Sequence, residues 1–361
     1  MRVTWVSYEF GEYCIRHVNA LVTEHDVQLI LPTQEIQRYS EVVDPRVETF
    51  LFDRPRLRHP IRQILAIRRI MKAITNFSPA VIHLQSGHLW FNLALPFLRK
   101  YPLVVTIHDP TYHEGDENSR KTPHAVMAFG YRRADRVIVH GPSLVGPVRR
   151  MIHLPMAKIH VVAHVAVGGI TNLARFDEDA DSVLFFGRIW EYKGLEYLIK
   201  AEPLISKHRP DFRVIIAGEG EELARYRRMM VHPERFIIHN TWIDDDQRTE
   251  LFQRAAIVVL PYISATQSGV VPLAHSFAKP VVATSVGALP DVIEHGASGL
   301  LVPPRDEHAL AEAILELLGN EQLRREMGRR GQERLDTDCA PAVVACRTAE
   351  VYAEAIRDRR G

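Results

Sequence analysis

From end to end the chain alternates short apolar, β-branched runs with intervals of about ten to twenty residues, a rhythm that leaves few folds open. The first half carries VTWVS (3–7), DVQLIL (26–31), VETFLF (47–52), AVIHL (80–84), LVVTIH (103–108), RVIVH (136–140) and IHVVAH (159–164). VLFF (183–186), FRVIIAG (212–218), RFIIHN (235–240), AIVVLPY (256–262), PVVAT (280–284) and GLLVP (299–303) repeat it. Intervals of that length accommodate a crossover helix, so each half predicts a parallel, doubly wound α/β sheet. A length of 361 residues is long for one core. The expectation is therefore two Rossmann-like domains, 1–170 and 171–340, joined near 166–181 by GGITNLARFDEDAD, with a helix at 341–361. In such sheets ligands bind beyond the carboxyl ends of the strands, which directs attention to the loops after each run.

Among those loops, DSVLFFGRIWEYKG (181–194) stands out. Gly187 ends an apolar strand, and Arg188 and Lys193 follow across a turn that leads into a helical pattern. A guanidinium fork, an ammonium and a helix N-terminus are what a diphosphate requires, although two solvated basic residues fit the spacing equally well. This is neither a Walker A loop nor a G-x-G-x-x-G turn. The run Asp244-Asp245-Asp246 invites a metal, but its place before QRTELFQRA suits a helix cap and first-turn charge better. No metal or other cofactor is expected.

Forty-five Lys and Arg balance 44 Asp and Glu, so nucleic acid is not an expected partner. Three cysteines make no disulfide framework, and no cleavable leader is legible at MRVTWVSYEF. The longest apolar stretch, 255–263, contains Pro261 and falls short of the roughly 20 residues that span a bilayer. A cytoplasmic protein is expected, the inner face of the membrane included. The most cationic stretch, residues 54–74 (RPRLRHPIRQILAIRRIMKAI), places apolar and basic side chains on opposite faces of a helix. It suits peripheral membrane contact or a lipid-diphosphate acceptor, or else a surface helix with a solvated basic side.

Read together, GRIWEYKG (187–194), AGEG (217–220) and TQSGVVPLAHSFAKPVVATSVGALPDVIEHGASGLLVPPRD (266–306) resemble the retaining glycosyltransferases of family 4, which have the GT-B fold with the two sheets facing a cleft. The resemblance is strong over the second half and loose over the first. It implies transfer of a sugar from a nucleotide-diphospho-sugar to a hydroxyl acceptor, lipid-linked acceptors included, without a metal. Arg188 and Lys193 would receive the leaving diphosphate. Gly187, Gly218, Glu219, Thr266, Gln267, Ser268, Gly269, Val270 and Val271 would line the donor, the last three through N–H groups at a helix start. Trp242 would stack on the base or sit in the core or rim. YEFGEY resembles the family's glycine-rich loop, with Gly11 alone where two glycines are common, or is an ordinary turn. TIHDP resembles the family's T-x-H-D turn, with His108 contacting the transferring sugar and Asp109 orienting it or bounding the acceptor pocket. Ser143 is a further acceptor candidate, and the final helix would return to the first domain.

One departure is clear. Thr266 and Ala274 stand where the family commonly has two glutamates, so His275 or a water would have to serve the ribose. His83, His88, His113 and His140 receive no role. A non-catalytic sugar-nucleotide-binding protein, a phosphorylase and a sugar-nucleotide epimerase remain alternatives.

Overall fold

The computed structural model describes residues 1–37, 43–85, 87–110, 124–167, 175–220 and 223–360. Ser86, Glu221, Tyr112, His113 and residues 168–174 of the expected linker lie outside them. The described residues form two units, one of 1–110, 124–167 and 338–360, the other of 175–337.

The first unit is a parallel sheet of β1 (Arg2–Val6), β2 (Asp26–Pro32), β3 (Glu48–Phe52), β4 (Val81–Leu84), β5 (Leu103–Thr106), β6 (Arg136–Val139) and β7 (Ile159–Val161), in the order β3-β2-β1-β4-β5-β6-β7. Val3, Trp5, Leu29, Val81, Val104 and Ile138 are buried in one cluster, as strands covered on both faces require. The order reverses between β1 and β4, whose ends are joined where Gln85 N–H donates to Val6 O at 2.9 Å. β7 is shorter than IHVVAH suggests. Val162 N–H still donates to Val139 O at 2.9 Å, and the chain then leaves the sheet, carrying His164 toward Tyr13. The helix Pro341–Arg360 belongs to this unit: it packs on the helix Gly11–Leu21, Tyr352 Oη bonds His83 Nδ1 at 2.7 Å, and Arg136 pairs with Asp358 at 2.5 Å.

The second unit is a parallel sheet of β8 (Asp179–Phe186), β9 (Arg213–Ala217), β10 (Phe236–His239), β11 (Ala255–Leu260), β12 (Val281–Thr284) and β13 (Gly299–Val302), ordered β10-β9-β8-β11-β12-β13. Renumbered from its own first strand this is 3-2-1-4-5-6, the doubly wound order whose switch point, here between β8 and β11, is the usual ligand site. Among the described residues no helix is long and apolar enough to cross a membrane.

Candidate functional site

In the second unit the site is built from the loops after β8, β9 and β11. After β8, Gly187 turns with φ 107°, and its N–H donates to Ala217 O at 2.9 Å. Ile189 N–H donates to Glu219 O, also at 2.9 Å, so Arg188 sits between two backbone bonds that pin its loop to the end of β9. This close pairing is possible because residue 218 is glycine. Its φ is 142°, and a β-carbon there would lie 2.0 Å from Gly187 O. The Arg188 side chain is exposed, with Nη2 3.5 Å from Tyr192 Oη.

A short turn, Glu191–Lys193, ends at Gly194, which opens the helix Leu195–Ser206. Lys193 is buried, its ammonium 3.8 Å from the ring centroid of Tyr262. The electron-rich face of that ring compensates part of the lost hydration. Tyr262 is itself buried, which raises its hydroxyl pKa, while Ser268 at 3.3 Å and the nearby Arg188 charge act in the opposite direction. Tyr192 O accepts Ile263 N–H at 2.8 Å, tying the loop after β8 to the loop after β11. Sequence reasoning chose both loops but missed Tyr192 and Tyr262, the aromatic groups that hold the two cations.

The loop after β11 leads through Thr266, Gln267, Ser268 and Gly269 to the helix Val270–Ser276. Thr266 is buried, and its carbonyl accepts Ala288 N–H at 3.1 Å. Val271 faces the core. Val270 N–H donates to Ser268 Oγ at 3.2 Å at the start of that helix. One expectation changes here. His275 does not stand in for the absent ribose ligand: its ring is buried toward the helix Glu321–Arg334, so close that a β-carbon on Gly331 would meet it at 2.4 Å. Burial there lowers its pKa to about 4.

Glu219 is exposed, as is Trp242 (56% exposed), beyond the end of β10 and not in the core. Asp244 caps the helix Asp245–Arg254, accepting Gln247 N–H at 2.8 Å, and Asp245 pairs with Arg248 at 3.1 Å. Among the described residues no group of three or more His, Cys, Asp or Glu is placed to hold a metal ion.

In the first unit the strand ends gather around His108, which is buried beyond β5. The Phe10 ring stacks on it at 4.3 Å, and His140 lies 4.8 Å away between centroids. Tyr13 is edge-on to both His108 and His164, at 5.5 and 4.7 Å. The Gln85 side-chain amide contacts His108 Nε2. His140, assigned no role from the sequence, is part of this cluster and donates through Nδ1 to Val162 O at 2.9 Å.

The YEFGEY loop differs from the expected phosphate cradle. Phe10 has φ 63°, the left-handed conformation that glycine adopts freely and other residues at a cost of roughly 1–2 kcal/mol. Gly11 N–H donates to the buried carboxylate of Glu35 at 3.1 Å, so a protein anion already occupies the start of that helix. Glu35 lies in the short helix Thr33–Gln37 directly after β2, a strand end that was not among the loops singled out from the sequence.

The profile of glycosyl transferases group 1 matches residues 180–320, and that of Glycosyltransferase Family 4 matches residues 11–164. The chain belongs to the family 4, group 1 glycosyltransferases. Its fold is the two-domain Rossmann-like GT-B fold. The glycogen synthase of Mycobacterium tuberculosis is 27% identical over 405 aligned positions that cover all of this glycosyltransferase and 96% of that protein. Sucrose-phosphate synthase from Thermosynechococcus elongatus superimposes with a TM-score of 0.77 at 18% identity, over 99% of this chain and 100% of that one. Anabaena Alr3699/HepE, solved in complex with UDP-glucose, does so with a TM-score of 0.74 at 17% identity, over 98% and 100%.

Proposed function

We propose that this glycosyltransferase moves a sugar from a nucleotide-diphospho-sugar to a hydroxyl acceptor with retention at the anomeric carbon and without a metal. The observation that carries the reading is the pinned loop Gly187–Gly194, which presents Arg188 and Lys193 on an aromatic frame at the switch point of the second sheet. Cleavage of the anomeric C–O bond leaves negative charge on the β-phosphate, and fixed cations stabilise that charge more in the transition state than in the ground state. The acceptor oxygen bonds to the anomeric carbon on the face the diphosphate leaves, and its proton passes to a phosphate oxygen. The products are a glycoside and a nucleoside diphosphate. His108 contacts the transferring sugar, with Asp109 beside it in sequence. The UDP-glucose complex of the similar fold supports a nucleotide-sugar donor.

The test is release of nucleoside diphosphate from a panel of UDP-, GDP- and ADP-sugars with hydroxyl acceptors, in the presence of a chelator. Turnover should persist with the chelator and fall by about 10²–10³ in Arg188→Ala. Unchanged turnover in both Arg188→Ala and Lys193→Ala contradicts the reading. Donor binding without turnover on any acceptor would make the chain a binding protein, and a requirement for inorganic phosphate, or epimerised donor without acceptor, would make it a phosphorylase or an epimerase.

A further inference from the structure

The helices Pro60–Phe77, Leu89–Ala94 and His124–Tyr131 pack side by side on the first sheet, the middle one touching both others. The first buries Gln63, Ile67, Ile70, Ile74 and Phe77. That leaves an unusual outer surface. Ile61 (74% exposed), Ile64 (44%) and Leu65 (50%) stand out from the first helix, Leu93 from the second, Phe97 (77%) from the turn that follows it, and Phe129 from the third. Scattered single apolar residues need no explanation, but six large ones across three adjoining helices and the turn after the second do.

The same surface is cationic. Residues 54–77 contain seven Arg and Lys and no Asp or Glu, in a chain balanced as a whole at 45 to 44. Arg62, Arg68, Arg69 and Lys72 are exposed, and none pairs with a carboxylate among the described residues. Arg99, Lys100 and Arg132 are exposed beside the other two helices. Between the first helix and β3 lies a cavity of about 870 Å³ whose walls mix Leu51, Phe52 and Leu65 with Arg54, Arg62 and Arg69; among the described residues Asp53 is the only carboxylate lining it.

We propose that this three-helix face docks on the surface of an anionic phospholipid bilayer, with the six apolar side chains entering the headgroup–acyl boundary and the surrounding cations neutralising phosphates. Apolar anchors ringed by Arg and Lys are the combination that interfacial binding requires, each basic group near the surface contributing about fivefold in partitioning. A second copy of the chain fits poorly, because a two-fold interface would place this cationic patch against itself. The proposal is independent of the transferase reading, since binding is measured without turnover.

The experiment is sedimentation of the full chain with vesicles of phosphatidylcholine, alone or with about 30 mol per cent phosphatidylglycerol. Binding to the anionic vesicles only, weakening as salt is raised, is expected. Arg62→Glu/Arg69→Glu and Ile61→Ser/Phe97→Ser should each lower that binding by about tenfold or more while the melting temperature stays within a few degrees, because all four side chains are exposed. Equal binding to both vesicle types, binding to neither, variants that bind like the parent, concentration-dependent dimerisation that the apolar pair abolishes, or retention on a soluble polyanion such as heparin with no vesicle binding would each overturn it.

Discussion

Arg188 and Lys193 belong to one turn but are held differently, and their removal should read differently. The Arg188 side chain is exposed, so Arg188→Ala should leave stability within about 0.5 kcal/mol of the parent and act on turnover alone. Lys193 is buried against Tyr262, so Lys193→Ala should also cost stability, about 1–3 kcal/mol. Lys193→Met, which keeps the stem and drops the charge, should recover most of that stability but not the activity; a fully active Met variant would remove Lys193 from the chemistry. Spacing made the two cations legible, whereas the burial of Lys193 depends on Tyr262, about 70 residues further on, and no local pattern predicts it. Gln85 belongs to the same class. Its side chain meets the His108 ring and also bonds Tyr13 and His83, so Gln85→Leu should lower kcat by about tenfold or more while the donor KM holds, at some cost in melting temperature. An unchanged kcat would leave Gln85 a packing residue.

Strand runs and crossover intervals were readable because a buried parallel strand must be continuously apolar, and every described strand falls within or beside a run named from the sequence. What escaped the reading is how loops pack on loops. Gly218 looks like one glycine among 20, yet a β-carbon there would strike Gly187 O at 2.0 Å. Gly218→Ala should therefore displace the Arg188 loop and weaken donor binding as well as stability; a variant with parental affinity would show that the loop tolerates the shift. Phe10 is the converse case, holding a left-handed backbone that its side chain disfavours while its ring covers His108. Asp244→Ala removes an N-cap and should cost about 1 kcal/mol with turnover intact, as expected if that carboxylate serves the helix and not a metal. A collapse of activity rescued by a divalent ion would reverse this assignment.

At the scale of the whole molecule the buried histidines are distributed unevenly. In the first unit, burial lowers the pKa of His17 and His140 to about 3 and of His88 and His164 to about 4, with neighbouring charges adding to the shift in the first three. Each is neutral when folded and takes up a proton when unfolded below about pH 6.5, so the unfolded state binds more protons and stability falls as pH drops from 6.5 toward those values. The slope is about 1.4 kcal/mol per pH unit for each histidine. Hydrogen exchange at pH 7 and pH 5 should show the first unit opening more readily in acid than the second, and a pH-independent pattern would contradict that. For the function itself, calorimetric titration of UDP, GDP and ADP into the intact chain and into the Arg188→Ala/Lys193→Met double variant is the most direct measurement. If Arg188 and Lys193 hold the diphosphate, one nucleoside diphosphate binds the parent and the folded double variant binds it at least about tenfold more weakly, since each charged contact is worth roughly 1.5–3 kcal/mol. Equal affinity in parent and variant would contradict it.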